Sequence, residues 1–327
     1  LASFDPKAHL QGNLDAQYLN KYSDEYLNSV VNTKEELEKA YDDGLDYEAD
    51  YFIDATGDAN LAYICGYPFR LGRDSDNLCQ PMTLCFRIAN VDNDVCKNIP
   101  RDQINELYKK LQKDGKITNP RENVLIFPTL TDGVLHFNTT RIVKLNPTEP
   151  FDLTKAEIIA RKQVMEIYLM LKRNIPGFEN CKLIMTAPEI GIRESRMIVG
   201  EYTLTGEIMK SCKIFDDAIA LGNYGIDIHS PDGTGTSYYF FKPGEYYTIP
   251  YRCLIPKNSE NLLVAGRCIS VDHEAQASMR IMPIVCTVGE AAGTAAAIAF
   301  KSGKNVSDID ITLLRKTLKD NGAAVEI

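Results

Sequence analysis

Tryptophan and closely spaced cysteine pairs are both missing from this sequence, which has nine cysteines but no Cys-x-x-Cys motif. Structural zinc and iron–sulfur sites usually contain such pairs, so we predict no metal site. The odd cysteine count and the length of 327 residues also disfavour a disulfide framework. We therefore expect most of the cysteines to be small core residues, in a protein from a reducing compartment, the cytoplasm.

A basic surface and a long apolar segment are lacking as well. The formal net charge is −9 and no stripe of Lys and Arg is present, which disfavours nucleic acid as a partner. The most apolar run, residues 291–300, lies between Glu290 and Lys301. A membrane-spanning helix requires about 20 apolar residues, so we expect no membrane span.

The chain has enough apolar residues for a sizeable core, because hydrophobic residues make up 44% of it. Its length is typical of two domains. The segment 223–248 has no clear period and is predicted to be a loop or irregular sheet. Elsewhere the periodicity predicts helices at residues 23–43, 61–65, 101–113, 154–173, 195–202, 216–222, 283–301 and 311–319, and strands at 51–53, 81–91, 124–127, 133–139, 183–187 and 262–265.

One candidate binding loop follows the strand at residues 51–53 and contains Ala55, Thr56, Gly57 and Asp58. Glycine permits a positive φ and lets a ligand approach the backbone, while the threonine and aspartate offer hydrogen bonds. The aspartate could also cap the helix that follows. A plain strand-to-helix turn explains this short motif equally well.

A second candidate loop, Ala265-Gly266-Arg267, follows the strand at residues 262–265. A polar strip comes next, and Pro283 then suits the first turn of a helix because its missing N–H is not needed there. Small residues at positions 289, 292, 293, 296 and 297 give that helix a side with little bulk. Its free N–H groups could stabilise negative charge. The alternative is tight helix–sheet packing without a ligand.

Six segments together resemble, in their order and spacing, the FAD-dependent oxidoreductases related to the flavoprotein subunits of fumarate reductase and succinate dehydrogenase. The resemblance covers most of residues 50–300. The segments are IDATGDANLAYICGYPF (53–69), QPMTLCFRI (80–88), EIGIRESRMIVGEY (189–202), YGIDIHSPDG (224–233), IPYRCLIP (249–256) and LLVAGRCISVDHEAQASMRIMPIVCTVGEAAGTAAA (262–297).

The resemblance implies an α/β protein, α+β overall, with a partial glutathione-reductase-like FAD-binding domain and an inserted mixed α+β substrate or cap domain. Residues 49–75 and 250–327 would form the incomplete FAD-binding domain and residues 76–249 the inserted one. Residues 1–48 match the family poorly.

FAD is the cofactor that the resemblance implies, and three groups of residues would contact it. The first loop would lie near the ribose and pyrophosphate, the second near the pyrophosphate and ribityl chain, and the start of the last long helix would face the isoalloxazine. These residues are Ala55, Thr56, Gly57 and Asp58; Ala265, Gly266 and Arg267; and Met282, Pro283 and Ile284.

One departure from the family pattern concerns the G-x-G-x-x-G loop, which binds the ADP half of the cofactor. No such motif occurs in the sequence, and Gly233-Thr234-Gly235 lacks the third glycine. We therefore expect the chain to be a fragment without that segment, or a protein that has lost it. On this view the chain alone binds FAD weakly and is inactive.

Four residues are candidates for proton transfer or anion binding. His273 has an ordinary pKa near 6.5 and lies between the second loop and the last long helix, although a structural hydrogen bond is an equal alternative. Arg280 could hold a carboxylate or the flavin, or pair with Glu274 or Glu290. Two further candidates are Arg193, which could instead form a structural salt bridge, and His229, which could simply belong to a turn.

These features predict a flavin-dependent oxidoreductase that transfers hydride between a small organic substrate and FAD. The alternatives are a truncated, non-catalytic flavoprotein fragment or binding module, and a hydrolase, although no G-x-S-x-G or H-E-x-x-H motif is present. The expected partner is a small-molecule substrate. The electron acceptor is unspecified and homo-oligomerisation is left open.

Overall fold

The computed structural model describes residues 49–233 and 235–326, which contain twelve strands and eight α-helices. The predicted helix at residues 23–43 lies outside them. The strands are β1 (Phe52–Asp54), β2 (Phe69–Leu71), β3 (Phe86–Ala89), β4 (Ile126–Pro128), β5 (Leu135–Phe137), β6 (Lys182–Thr186), β7 (Arg196–Ile198), β8 (Ala218–Gly222), β9 (Ile226–His229), β10 (Thr236–Tyr239), β11 (Tyr247–Pro250) and β12 (Leu262–Val264). The helices are α1 (Asn60–Ile64), α2 (Asn93–Cys96), α3 (Arg101–Lys113), α4 (Pro150–Asn174), α5 (Gly206–Lys210), α6 (His273–Met279), α7 (Met282–Ser302) and α8 (Ile311–Asp320).

A parallel pair, β1 with β12, brings the two candidate loops to one edge. Phe52 is in register with Leu262, and Asp54 with Val264. The carboxyl ends of parallel strands lie at the same edge of a sheet, so the segments after Asp54 and Val264 leave side by side. A strand buried on both faces reads as a continuous apolar run, which explains the sequence of β12.

The larger apolar cluster surrounds this pair. It includes buried residues of β8, β11, β12, α6, α7 and α8, and it begins with Ala59 and continues from Met197 onward. Helix α7 contributes Ile284, Val288 and its buried alanines, and it packs against β1, β8, β12 and α8. The small side chains of α7 allow this close approach to the strands.

A separate apolar cluster is built entirely from residues between Met82 and Ile190. Its sheet is antiparallel with the order β4-β5-β3-β6, and Phe86 of β3 stacks on Phe137 of β5 at 4.7 Å between ring centroids. Helix α4 adds an apolar face to the same cluster. The long central segment of the chain therefore has a core of its own.

The long helices match the sequence-based predictions best. The predicted helix at residues 101–113 coincides with α3, and those at 154–173, 283–301 and 311–319 correspond to α4, α7 and α8. The overall mixture of helices and small sheets confirms the predicted mixed α/β character. The loop or irregular sheet expected at 223–248 contains β9, β10 and part of β11, and β9 and β10 form an antiparallel pair.

Two predicted helices are wrong. Residues 195–202 contain β7, which pairs antiparallel with β2. Residues 216–222 contain β8, which pairs antiparallel with β11. Both are short apolar runs that are largely buried, and in such runs periodicity alone does not separate a strand from a buried helix.

Helix α7 also meets the length and composition criteria for a membrane-spanning helix, unlike the shorter run considered from the sequence. Core helices of water-soluble proteins meet the same criteria. One third of its most apolar window is buried in the structure, where it packs against neighbouring strands.

Candidate active site

The two candidate loops contact each other where β1 and β12 end. The backbone N–H of Ala265 donates to the carbonyl of Asp54 over 2.9 Å, extending the parallel ladder by one residue. Beyond it, Arg267 Nη2 donates to Asp58 Oδ1 over 2.7 Å. The structure therefore brings together the two groups of residues that the sequence separates by about 200 positions.

Asp54 stabilises the first loop by accepting hydrogen bonds from it. Its buried carboxylate accepts hydrogen bonds from the backbone N–H and hydroxyl of Thr56, at 3.1 and 2.7 Å, and from the N–H of Ala62 at 2.9 Å. The Thr56 hydroxyl in turn accepts from the N–H of Asn60. Threonine and aspartate thus fix the turn and the start of α1, and leave Ala55 and Thr56 on the surface.

Asp58 joins this loop to β7. Its carboxylate accepts from the Ser195 hydroxyl as well as from Arg267. Arg196 Nη1 donates to the Asp58 carbonyl over 3.1 Å, and its guanidinium lies 4.2 Å from the centre of the Tyr63 ring. Asp58 does not cap α1, because Ala59 occupies the N-cap position and no side chain accepts a hydrogen bond there. Its carboxylate instead holds the side chains of Ser195 and Arg267 next to the loop.

The glycines of the two loops serve different geometric needs. Gly57 has φ +81°, and a Cβ added there would lie 2.9 Å from the Arg267 guanidinium. Gly266 has φ +96°, and an added Cβ would meet no described atom within 4 Å. The backbone at Gly266 is therefore open to a bound group, which is the geometry that a dinucleotide pyrophosphate requires.

The first turn of α7 has the open amino end expected of an anion site. Met282 is 80% exposed and Pro283 is exposed, whereas Ile284 is buried in the core. No side chain caps this end of the helix among the described residues. Its first N–H groups therefore have no side-chain acceptor among the described residues. Further along the same helix, Gly289 and Gly293 have no described atom within 4 Å of an added Cβ.

His273 begins α6 and is paired with a buried carboxylate. Its Nδ1 lies 2.8 Å from Oε1 of Glu194, which has no exposed surface. The other oxygen of Glu194 accepts from the backbone N–H of Gln80 over 2.7 Å. The Nδ1 contact fixes the orientation of the imidazole and leaves Nε2 for a substrate.

Arg193 and Arg280 do not form the salt bridges considered from the sequence. Arg193 Nη1 donates to the carbonyl of Pro81 over 2.6 Å, and burial together with neighbouring arginines lowers its pKa to about 9. Burial lowers the pKa of Arg280 as well. The guanidinium of Arg280 donates no hydrogen bond to any residue in the described part of the chain.

His229 is held between two charged side chains. Arg141 Nη2 lies 3.2 Å from its Nδ1, and its Nε2 lies 3.3 Å from Asp227 Oδ2. Because a guanidinium can only donate, Nδ1 must accept and Nε2 must carry the proton. Burial lowers the pKa of His229 to about 4, so the ring is neutral. Neither ring nitrogen is left for a substrate.

Several residues of this region were not predicted, namely Asp54, Gln80, Arg121, Arg141, Glu194, Ser195 and Asp227. Asp54 had a local signal, since an aspartate at a strand end often hydrogen-bonds the turn two residues on. Glu194 had no such signal, because its neighbours in sequence are the polar residues Arg193 and Ser195. The others act through partners distant in sequence, which no local pattern reveals.

Comparison with protein families identifies the chain independently of this geometry. A family model described as FAD dependent oxidoreductase matches residues 19–318, which is most of the chain. Searches of curated proteins and of solved structures gave no match. The family match agrees with the two converging loops, and the chain belongs to the FAD dependent oxidoreductase family.

Proposed function

We propose that this protein transfers hydride between a small organic substrate and FAD. The convergence of the Gly57 and Gly266 loops at the carboxyl ends of two parallel strands carries the proposal. In sheets of this kind a dinucleotide binds outside the carboxyl ends of the strands. The match to a family of oxidoreductases favours this function over the alternative of a truncated flavoprotein fragment or binding module without chemistry.

The first loop would hold the ribose and pyrophosphate, and the second the pyrophosphate and ribityl chain. Gly266 leaves room for the phosphates, and Arg267 supplies positive charge next to them. Arg267 also has a buried Nε without a hydrogen-bond partner among the described residues. The remaining contacts assigned to FAD in these loops are Ala55, Thr56, Gly57, Asp58 and Ala265.

The isoalloxazine would lie against the amino end of α7. Met282 and Pro283 are exposed there, so they are available for contact, whereas buried Ile284 would act by supporting the turn. A helix amino end favours negative charge at this position. Bound FAD would supply the two-electron chemistry, and the helix would supply electrostatic stabilisation.

His273 is the group best suited to proton transfer with the substrate. Glu194 orients its ring, and Arg280 at the end of the same helix has a guanidinium free to bind substrate. Arg193 would add positive charge nearby. We assign His229 a positioning role, because both of its ring nitrogens are engaged by Arg141 and Asp227.

We assign residues 49–75 and 250–327 to the FAD-binding domain and residues 76–249 to the substrate or cap domain. The second cluster, which lies wholly within residues 82–190, supports a separate core for that part of the inserted segment. Buried residues from Met197 to Ile249 instead pack in the larger cluster, together with residues assigned to the FAD-binding domain. The arrangement would follow a partial glutathione-reductase-like fold.

The reduction potential of bound FAD tests the proposed position of the flavin. We expect a midpoint potential more positive than that of free FAD, because the amino end of α7 stabilises the reduced, anionic ring. Met282→Asp should lower it, and Ser302→Asp at the other end of α7 should not. A potential equal to that of free FAD in all three proteins would contradict the proposal.

The missing G-x-G-x-x-G loop predicts an inactive chain, whereas the converging loops and His273 favour a catalytic one. Anaerobic mixing of the FAD-loaded protein with candidate reducing substrates decides between these two expectations. We expect at least one to bleach the flavin absorption faster than it bleaches free FAD in the same buffer. Equal rates with and without protein for every compound would contradict an enzymatic role.

A further inference from the structure

Three arginines, Arg121, Arg193 and Arg280, have more hydrogen-bond donors than the acceptors that the described residues offer them. Arg121 is 4% exposed, and its Nε and Nη1 are buried without a partner. The Nε of Arg280 is also buried and has no hydrogen-bond partner among the described residues. Arg193 donates from Nη1 only, to the carbonyl of Pro81. Burying charged donors without acceptors is unfavourable, and an added anion that accepts from them would remove this cost.

These arginines belong to one region of the molecule. The strand β9, which contains Asp227, packs against α6, at whose end Arg280 lies. Gln276 of α6 donates to the carbonyl of Arg193 over 2.6 Å. Arg121 joins this region through its neighbour Glu122, which pairs with Arg141, and Arg141 contacts His229, the partner of Asp227. The charge of Asp227 also acts on all three arginines.

The carboxylates of the region do not neutralise these arginines. Glu122 is paired with a fourth arginine, Arg141, at 3.1 Å. Glu194 is occupied by His273 and by the backbone N–H of Gln80. Asp227 is the one carboxylate among the described residues whose charge acts on all three arginines, so the cluster keeps unmatched positive charge. An anionic ligand is the simplest complement to it.

Two acceptors without donors accompany the arginines. Oδ1 of Asp227 and Oε1 of Gln80 are buried and have no partner among the described residues. The orientation of the Gln80 amide follows from its neighbour. Gln276 Nε2 donates to the Arg193 carbonyl, so its Oε1 accepts from Gln80 Nε2 at 3.0 Å. A complementary ligand would therefore need a donor as well as an anionic group.

We propose that Arg121, Arg193 and Arg280 bind the carboxylate of a small hydroxy acid whose hydroxyl donates to Asp227. A planar carboxylate matches the fork of donors on a guanidinium. A ligand hydroxyl that donates to Oδ1 of Asp227 would explain why this buried oxygen has no partner among the described residues. This assignment of a substrate class rests on the proposed function, since it concerns the substrate side of the same site.

Binding of matched acids to the full chain, in the presence of FAD, tests the proposal by calorimetry. Lactate and malate should bind at least about tenfold more tightly than propionate and succinate, which lack the hydroxyl. In Asp227→Asn, His229 would keep the amide oxygen and the NH₂ would face the ligand, so most of this preference should disappear. Equal affinities of the paired acids for the parent protein would overturn the role of the hydroxyl.

Arg121 distinguishes a binding role from a structural one. Arg121→Gln should weaken binding of both lactate and propionate by about tenfold or more, whereas the exposed Arg87→Gln should not. Without ligand, Arg121→Gln should melt no lower than the parent, because this guanidinium forms no hydrogen bond with the described residues. A lower melting temperature with unchanged affinity would overturn the proposal.

Two further outcomes separate this inference from the proposed function. Binding of FAD without binding of any of the four acids, or tighter binding of inorganic phosphate than of the acids, would overturn the hydroxy-acid assignment alone. Binding of hydroxy acids by a chain that does not bind FAD would support the arginine site and contradict the flavin-dependent function.

Discussion

The pairing of His273 with Glu194 is the feature of the site most directly tied to proton transfer. We expect His273→Asn to lower the rate of flavin bleaching by its substrate by about 10²–10⁴-fold, the usual contribution of general acid–base catalysis. Glu194→Gln should lower the rate less, because glutamine can still accept from Nδ1 but carries no charge.

His136→Asn is the matched control for these substitutions. His136 lies on β5, in register with Phe127 and Arg87, in a different sheet from the β1–β12 pair that positions the two loops. The His136→Asn variant should have the same rate of flavin bleaching as the parent protein. If all three variants have the rate of the parent protein, His273 does not transfer the proton.

Burial of neutral His229 predicts a pH dependence of stability. Its pKa is lowered to about 4 in the folded protein, against about 6.5 in the unfolded chain. Between these values the unfolded state binds the extra proton, so stability falls as the pH drops from 6.5 to 4. The full effect is about 3 kcal/mol.

Urea unfolding at several pH values measures this effect. His229→Gln keeps an acceptor for Arg141 and a donor for Asp227 but does not titrate, so its stability should change less over this pH range. An identical decrease in parent and variant would show that other groups cause it.

At the scale of elements, the turn between β1 and α1 depends on one aspartate. Asp54→Ala leaves three donors, the N–H and hydroxyl of Thr56 and the N–H of Ala62, without their acceptor. We expect the free energy of unfolding to fall by about 2–4 kcal/mol, measured by urea denaturation. Exposed Asp74→Ala should change it by less than about 0.5 kcal/mol. Comparable losses in both variants would contradict the account of the turn.

The elements differ in how far the sequence could predict them. Helices α3 and α4 have enough turns for a helical period to be recognised, and both were predicted close to their observed bounds. The strands β7 and β8 have three and five residues and are largely buried, so their apolar residues follow no distinctive period. Pairing with β2 and β11 decides their conformation, and that pairing is not visible in a local pattern.

At the scale of the whole molecule, local sequence patterns likewise predict only part of the site. The two loops were found because each has its own strand–glycine signal. The contacts that complete the site join residues far apart in sequence, such as Glu194 with His273, 79 positions apart, and Arg141 with His229, 88 apart. Only the folded chain shows that Glu194 orients His273 and that both ring nitrogens of His229 already have partners.

The position of the nucleotide unites these features, and two glycines allow it to be tested with a close control. Gly57 and Gly66 both have φ +81°, so replacement by alanine imposes a similar backbone cost, about 1–2 kcal/mol, at each. Only at Gly57 would the new methyl group also meet Arg267, where the two loops join. Gly66 has no described atom within 4 Å of an added Cβ.

The most direct measurement is a titration of FAD with the full chain, followed by fluorescence anisotropy of the flavin. We expect saturable binding that Gly57→Ala weakens by about tenfold or more and that Gly66→Ala leaves close to the parent value. Absence of saturable binding, or equal affinities of the two glycine variants, would contradict a nucleotide site where β1 and β12 end.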